Sequence, residues 1–186
     1  VMPGDIKYRD VNADGKIDVN DAVFIGYPET PRLIYGMSLF VNYKNFEFNT
    51  SFQGSGKRSF FINAQAISPF YGDHAMLQAI ADSHWSEDNQ AERPFWPRLS
   101  TSNIVLHNPQ EDWTANAETR KSTYFMRECS FLRCTSISLA YNLSRKFIHK
   151  LGLQNVKFTL STNNPFCFTN FKLWDVELGS DGFNYP

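Results

Sequence analysis

The sequence has little excess charge of either sign. Its 18 Lys and Arg stand against 19 Asp and Glu, a net charge of -1 over 186 residues. A protein that binds nucleic acid by neutralising phosphates is clearly basic, so that class is disfavoured. Cysteine is also scarce. Cys129, Cys134 and Cys167 are odd in number and fit neither a disulfide framework nor a zinc spacing, so they are expected as buried or lipid-facing thiols. No stretch reaches the roughly 18 apolar residues of a membrane-spanning helix, which excludes that helix but not a β-barrel, whose strands alternate. Catalytic constellations are missing too. His74, His84, His107 and His149 are scattered, Glu87, Asp88 and Glu92 have no visible partner, and Gly54-Ser-Gly56 is too short to cradle phosphate. These absences point away from an enzyme.

What the chain does have is aromatic side chains, 16% of its residues, with 17 Phe, 8 Tyr and 4 Trp. Such a load suits β-structure, because flat rings pack well on a pleated sheet. The pattern agrees. From Leu33, the residues Tyr35, Met37, Leu39, Val41 and Tyr43 share one face, and Gly36, Ser38, Asn42 and Lys44 the other; only Phe40 breaks the rule. Phe46, Phe48, Thr50 and Phe52 then alternate with Glu47, Asn49, Ser51 and Gln53. A two-residue turn at Lys44-Asn45 pairs Tyr43 with Phe46, Val41 with Phe48, Leu39 with Thr50 and Met37 with Phe52. Every partner then falls on the apolar face, as a hairpin demands.

Alternation returns over 131–143, where Thr135, Ile137, Leu139, Tyr141 and Leu143 oppose Cys134, Ser136, Ser138, Ala140 and Asn142. A capped helical turn is expected from Ser144 to Gly152. The last strand is expected over 156–163, with Val156, Phe158, Leu160 and Thr162 on one face. Residues 57–122 are mostly aperiodic and read as one large surface loop, with a short helix between His74 and Trp85. Residues 1–31 and 164–186 read as loop.

The polar faces carry Ser, Thr, Asn, Gln and Gly more than Lys and Glu, which suits a water-filled or plugged lumen. Long and short connections alternate, as in outer-membrane barrels. Tyr35 and Tyr43 lie eight residues apart, roughly 27 Å along a strand and near 20 Å after a tilt of about 40°. That matches a lipid-facing band with aromatic margins. A soluble sandwich shows the same alternation, so the pattern alone leaves both architectures open.

The segment Asp10-Val-Asn12-Ala-Asp14-Gly15-Lys16-Ile17-Asp18-Val-Asn-Asp21 has the spacing of an EF-hand-type calcium loop. Asp10, Asn12 and Asp14 take the first three ligand positions, Gly15 permits the turn, and the Lys16 carbonyl, Asp18 and Asp21 complete the set. Hard Ca²⁺ wants about six to eight oxygens, and this donor set supplies them. Asp in place of Glu at the closing position resembles dockerin-like loops. The expectation is one structural Ca²⁺, with Ile17 turned inward as an anchor; an ion-free Asp/Asn/Gly turn is the bland alternative.

Further residues carry a family resemblance. Pro3-Gly-Asp-Ile-Lys-Tyr-Arg-Asp-Val-Asn-Ala-Asp-Gly-Lys-Ile-Asp18, Ile25-Gly-Tyr-Pro28, Tyr35-Gly36 and Tyr43-Lys-Asn-Phe46 with Gln53-Gly54 resemble the C-terminal part of SusC/RagA-type TonB-dependent outer-membrane receptors. So do Trp96-Pro-Arg98, Phe131-Leu-Arg133 followed by Ser136-Ile-Ser-Leu-Ala-Tyr-Asn-Leu143, and Asn163-Asn-Pro-Phe166 with Phe168-Thr169. Ala13 and Cys134 depart from the family pattern, and neither touches an oxygen ligand.

The resemblance implies an all-β fold: antiparallel strands forming part of a large transmembrane β-barrel of 22 strands, with long extracellular loops and short periplasmic turns. It implies import of oligosaccharide or peptide beneath a SusD-like surface lipoprotein, driven through TonB, in the outer membrane of a Gram-negative bacterium. The opening Val1-Met-Pro-Gly-Asp5 is neither a signal peptide nor an obvious start, as expected of a segment from a longer chain. On this basis the plug and TonB-contacting parts lie elsewhere, and the chain ends at Asn184-Tyr-Pro186 ahead of a last strand.

The expected organisation follows. Residues 1–31 form an extracellular loop with the calcium site, 32–56 a barrel hairpin, and 57–122 a long extracellular loop. Residues 123–163 form two further strands joined by the helical turn, and 164–186 another extracellular loop. Trp85, Phe95, Trp96 and Trp113 in the long loop are candidates for contact with ligand or with the lipoprotein. The competing expectation is a secreted calcium-binding β-module that adheres to glycan.

Overall fold

The computed structural model describes residues 2–63, 67–69, 75–90, 93–99, 122–144, 148–149 and 152–179. The chain divides into two compact units. One unit, Tyr27–Ser59 with Glu128–Lys172, is a four-stranded antiparallel sheet. Its strands are β1 Leu33–Tyr43, β2 Phe46–Gly56, β5 Phe131–Asn142 and β6 Lys157–Thr169, in the order β1-β2-β5-β6. A separate two-stranded sheet joins β3 Ser59–Phe61 to β4 Met126–Glu128.

The hairpin register follows the turn arithmetic. Lys44 takes a left-handed φ of 55°, and Tyr43 pairs with Phe46, Val41 with Phe48, Leu39 with Thr50 and Met37 with Phe52. The same rows continue across β5 and β6. Tyr43, Phe46, Tyr141 and Phe158 form one row, and Val41, Phe48, Leu139 and Leu160 the next. Leu39, Thr50, Ile137 and Thr162 follow. Beyond them lie Met37, Phe52, Cys134 and Phe166, and then Tyr35, Gly54, Leu132 and Phe168.

Two sequence expectations about these strands need correction. First, β6 does not stop at residue 163 but runs to Thr169. Asn163-Asn-Pro165 reads as a turn, yet β5 offers ladder partners beyond it, and Phe166 and Phe168 pair with Cys134 and Leu132. Proline is tolerated where a strand bulges or forms an edge, and Pro165 lies at an irregularity of the register. Second, Cys134 does not share the face of Ser136. The register shifts between Ser51/Phe52 on β2 and Cys134/Ser136 on β5, which places Cys134 beside Phe52 on the apolar face.

The turn expected after β5 is partly described. The Ile148 N–H donates to the Ser144 carbonyl at 3.3 Å, and Gly152 has a φ of 70°, which suits a residue without Cβ. Residues 145–147 and 150–151 lie outside the described set.

The other unit comprises Val1–Gly26, Phe60–Arg127 and Leu173–Pro186. Within the stretch expected as a large loop with a short helix, the described residues of 57–99 hold more regular structure than that helix alone. They contain β3, the helix α1 Gln78–Asp82, and isolated bridges joining His84 to Trp96 and Ser86 to Asn89. Phe60, Ile62, Ile80, Trp96, Phe125 and Val176 are buried in this unit. α1 is shorter than the expected His74–Trp85 span because it lacks a side-chain cap, and Ser83 and Trp85 bond instead to Trp96: the Trp96 N–H donates to the Ser83 carbonyl, and the Trp85 N–H to the Trp96 carbonyl. His74 lies outside the described residues.

Candidate functional site

The apolar face of the four-stranded sheet is the largest feature that asks for a functional account. Side chains that a soluble core buries stand open here: Leu160 is 76% exposed, Met37 63% and Phe158 63%. With exposed row neighbours such as Leu39, Val41, Leu139 and Phe168 they make an apolar surface that reaches all four strands. A contiguous exposed apolar surface marks a site of interaction with a partner or a membrane. No charged residue occupies the face among the described strand positions.

Its two margins are aromatic. The row nearest the Lys44-Asn45 turn is Tyr43, Phe46, Tyr141 and Phe158, with the Phe46 and Tyr141 rings 4.7 Å apart. At the other end stand Tyr35, Phe52, Phe166 and Phe168, with the Phe166 and Phe168 rings 5.3 Å apart. Between the margins lie mostly aliphatic side chains. This layering fits a hydrocarbon band bordered by interfacial rings.

Tyr35 is locked in place by the absence of a side chain at Gly54. A Cβ there would lie 2.4 Å from the Tyr35 ring and 2.4 Å from the Phe131 carbonyl oxygen. The ring crosses that gap, and its hydroxyl donates to the Phe131 carbonyl at 2.8 Å. One aromatic residue thus ties three strands at the margin.

The opposite face is mostly small and polar, with Ile34, Phe40 and Phe131 as its large apolar exceptions. The Ser38 and Ser51 hydroxyls meet at 3.0 Å. Near the turn, the Glu47 carboxylate accepts from Asn142 Nδ2 at 2.7 Å and pairs with the Lys157 ammonium. Both charges of that pair are met at the face itself.

The acidic loop is ordered by its own backbone. Asp10 accepts from the Ala13 and Gly15 N–H groups at 2.6 and 2.8 Å, and Asp14 accepts from Lys16 N–H at 2.8 Å. Asn12 accepts from Asp14 N–H, and Asp18 from Asn20 N–H. Asp21 accepts from the N–H groups of Asp18, Val11 and Asn12. Gly15 has the left-handed φ of 81° that the spacing requires. Among the described residues, no group of three or more His, Cys, Asp or Glu gathers as a metal-holding set. Ile17 does not turn inward as expected; it is 58% exposed.

Hydrogen bonds from Asp18, Val11 and Asn12 hold the Asp21 carboxyl below its usual range. A depressed folded value means that the stabilisation is present above the usual Asp pKa of about 3.9 and is lost as pH falls through the lower folded value. Hydrogen exchange at the Val11 and Asp18 amides, corrected for intrinsic rate, is expected to lose protection in that acid range and not between pH 5 and 8. Unchanged protection at acid pH would show that Asp21 does not hold the loop.

The loop aromatics are placed differently from the expectation. Trp96 is fully buried, with its ring edge-on to Phe125 at 5.6 Å, so it is a core residue and not a ligand contact. Trp85 is half-buried, and its ring fills the space where a Cβ on Gly4 would sit at 2.5 Å. Beside it Asp5, whose side chain is 1% exposed, pairs with Arg98. Phe95 is half-buried, with the Arg127 guanidinium 5.7 Å over its ring. Trp113 lies outside the described residues. Sequence reasoning missed the pairing of Gly4 with Trp85, because nothing in spacing links positions so distant. All three cysteines are free thiols, with Cys129 and Cys134 buried.

Comparison with known proteins gives a consistent picture. No protein-family model matches the chain. Over 183 residues, 97% of its length, the chain is 28% identical to TonB-dependent receptor P26 of Formosa agariphila. It is 27% identical to TonB-dependent receptor SusC of Bacteroides thetaiotaomicron over 96% of its length. The chain spans only 17% and 16% of those two relatives. Among solved structures, the RagAB peptide importer in the open-open state matches 89% of the chain at a TM-score of 0.60 and 19% identity, covering 17% of that structure's chain. The resemblance to SusC/RagA-type receptors is therefore borne out along nearly the whole chain. The fold is that of part of a β-barrel, with antiparallel strands and almost no helix among the described residues.

Proposed function

We propose that the chain is a C-terminal barrel segment of a TonB-dependent outer-membrane importer. The observation that carries this reading is the five-row apolar face with aromatic margins, matched by similarity to such receptors over 97% of the chain. Lipid solvates that face, and the Ser- and Asn-rich side borders a polar interior. The segment performs no bond chemistry; it forms wall and loops for a nutrient too large for general porins, an oligosaccharide or a peptide. A SusD-like lipoprotein at the surface and TonB, acting through other parts of the receptor, complete the assembly. The similarities described above do not support the secreted glycan-binding module.

In this reading the Lys44-Asn45 turn and the turn near 144–152 face the periplasm, and residues 1–31, 57–122 and the chain beyond β6 face outward. Single cysteines at Asn45 and Asp88, with Cys129, Cys134 and Cys167 replaced by Ser, test this in intact cells. A membrane-impermeant thiol reagent is expected to label position 88 and leave position 45 untouched. Labelling at 45 but not at 88 would invert the topology.

The acidic loop is proposed to bind one structural Ca²⁺ through Asp10, Asn12, Asp14, Asp18, Asp21 and the Lys16 carbonyl. Donor chemistry supports this: an oxygen that accepts one N–H keeps a second lone pair, and four carboxylates repel one another until a cation draws them together. Chelation is expected to speed proteolytic cleavage within residues 10–21. Cleavage unchanged by chelator, with no calorimetric binding of Ca²⁺, would leave the loop as a self-capped turn.

A further inference from the structure

We propose that the bulge at Thr135 in β5, which leaves that residue out of the ladder, acts as a face switch that keeps Arg133 on the polar side of the sheet. Its importance for assembly rests on the membrane-barrel reading above; the direction of the side chains does not.

Successive side chains on a strand point to opposite faces. Tyr141, Leu139 and Ile137 stand on the apolar face, opposite Phe46, Phe48 and Thr50. Unbroken alternation would place Thr135, Arg133 and Phe131 there as well. The ladder prevents it. Ser51 pairs with Ser136, yet the next residue, Phe52, pairs with Cys134, so one step on β2 spans two on β5. β5 resumes one residue out of phase. Cys134 and Leu132 take the apolar face, and Arg133 falls on the polar face opposite Gln53 on β2 and Cys167 on β6.

Side-chain contacts agree with this phase change. Cys134 Sγ lies 3.6 Å from Thr50 Oγ1, which belongs to the apolar face. The Arg133 guanidinium lies 5.9 Å over the ring of Phe131, its neighbour on the polar side. β6 accommodates the change without switching. Between Asn163 and Phe166 it takes three steps against two on β5, through Asn164 at a φ of 49° and Pro165. Thr162 and Phe166 therefore both remain on the apolar face.

The break is also capped. Thr135 Oγ1 donates to the Ser51 carbonyl at 3.1 Å. The Ser136 carbonyl accepts from Thr50 Oγ1 at 3.2 Å and from Cys134 Sγ at 3.6 Å. A carbonyl facing hydrocarbon has no water to turn to, so these side-chain donors are what allow a bulge within the band. Without the phase change, Arg133 would be the one charge among the described residues of that face.

The experiment uses the full-length receptor in its outer membrane. In a background without other reactive cysteines, Arg133→Cys is expected to react with a water-soluble maleimide when the outer membrane is permeabilised, and Leu132→Cys only with a lipid-phase maleimide. The reverse pattern would overturn the proposal, whatever surrounds the apolar face. Insertion of one Ser between Arg133 and Cys134, which leaves the bulge in place and moves Arg133 opposite Gly54 on the apolar face, is expected to lower the yield of heat-modifiable, assembled barrel several-fold, and adding Arg133→Leu to the insertion is expected to restore most of it. An insertion that is tolerated, or a defect that Arg133→Leu does not relieve, would also overturn it. Leu160→Arg serves as the separate control: tolerance there counts against the membrane reading and leaves the labelling result to judge the switch.

Discussion

Replacing Leu160 with Arg is expected to cost about 2–4 kcal/mol of barrel stability if the position lies near the bilayer midplane. Leu160 is 76% exposed in the row of Val41, Phe48 and Leu139, and hydrocarbon there offers a guanidinium no water. Phe48→Arg is expected to behave alike. Ser161, the next residue along β6, points to the polar face, so Ser161→Arg is expected to be far milder. Reversible unfolding of the receptor in lipid vesicles measures the difference. Equal tolerance at 160 and 161 would mean that the exposed face does not lie in lipid.

The second large effect belongs to the loop unit. Trp96→Ala is expected to cost about 3–5 kcal/mol, because a fully buried ring leaves a cavity that its surroundings cannot close. The lost contacts include the edge-on packing against Phe125. Hydrogen exchange reads this locally: the Ile62 amide, bonded to the Phe125 carbonyl, and the Trp85 amide, bonded to the Trp96 carbonyl, are expected to lose protection by roughly 10² or more. Retained protection would show that Trp96 is not what holds these segments together. The same result would return Trp96 to consideration as a ligand contact.

Different parts of the chain were legible to different depths. In the hairpin, alternation and turn length together define the register, since a shift of one residue would move every apolar side chain to the wrong face. That information lies within 24 residues and needs no distant partner. The acidic loop shows its motif in the sequence, and the structure adds that its oxygens cap backbone N–H groups. The extent of β6 was not legible. Asn164 and Pro165 mimic a stop, and only the ladder offered by β5 carries the strand past them.

Arg133 shows where local pattern ends. Its position is odd-numbered, in phase with Ile137, Leu139 and Tyr141, so alternation alone would put it on their face. Sequence by itself determined the hairpin with its register and the regularly alternating parts of β5 and β6, because side-chain periodicity is a property of neighbours along the chain. Tertiary structure alone decided the phase change at Thr135, the length of β6 and the burial of Trp96. Each of these depends on hydrogen-bond partners or packing neighbours distant in sequence, and alternation within one strand carries no information about them.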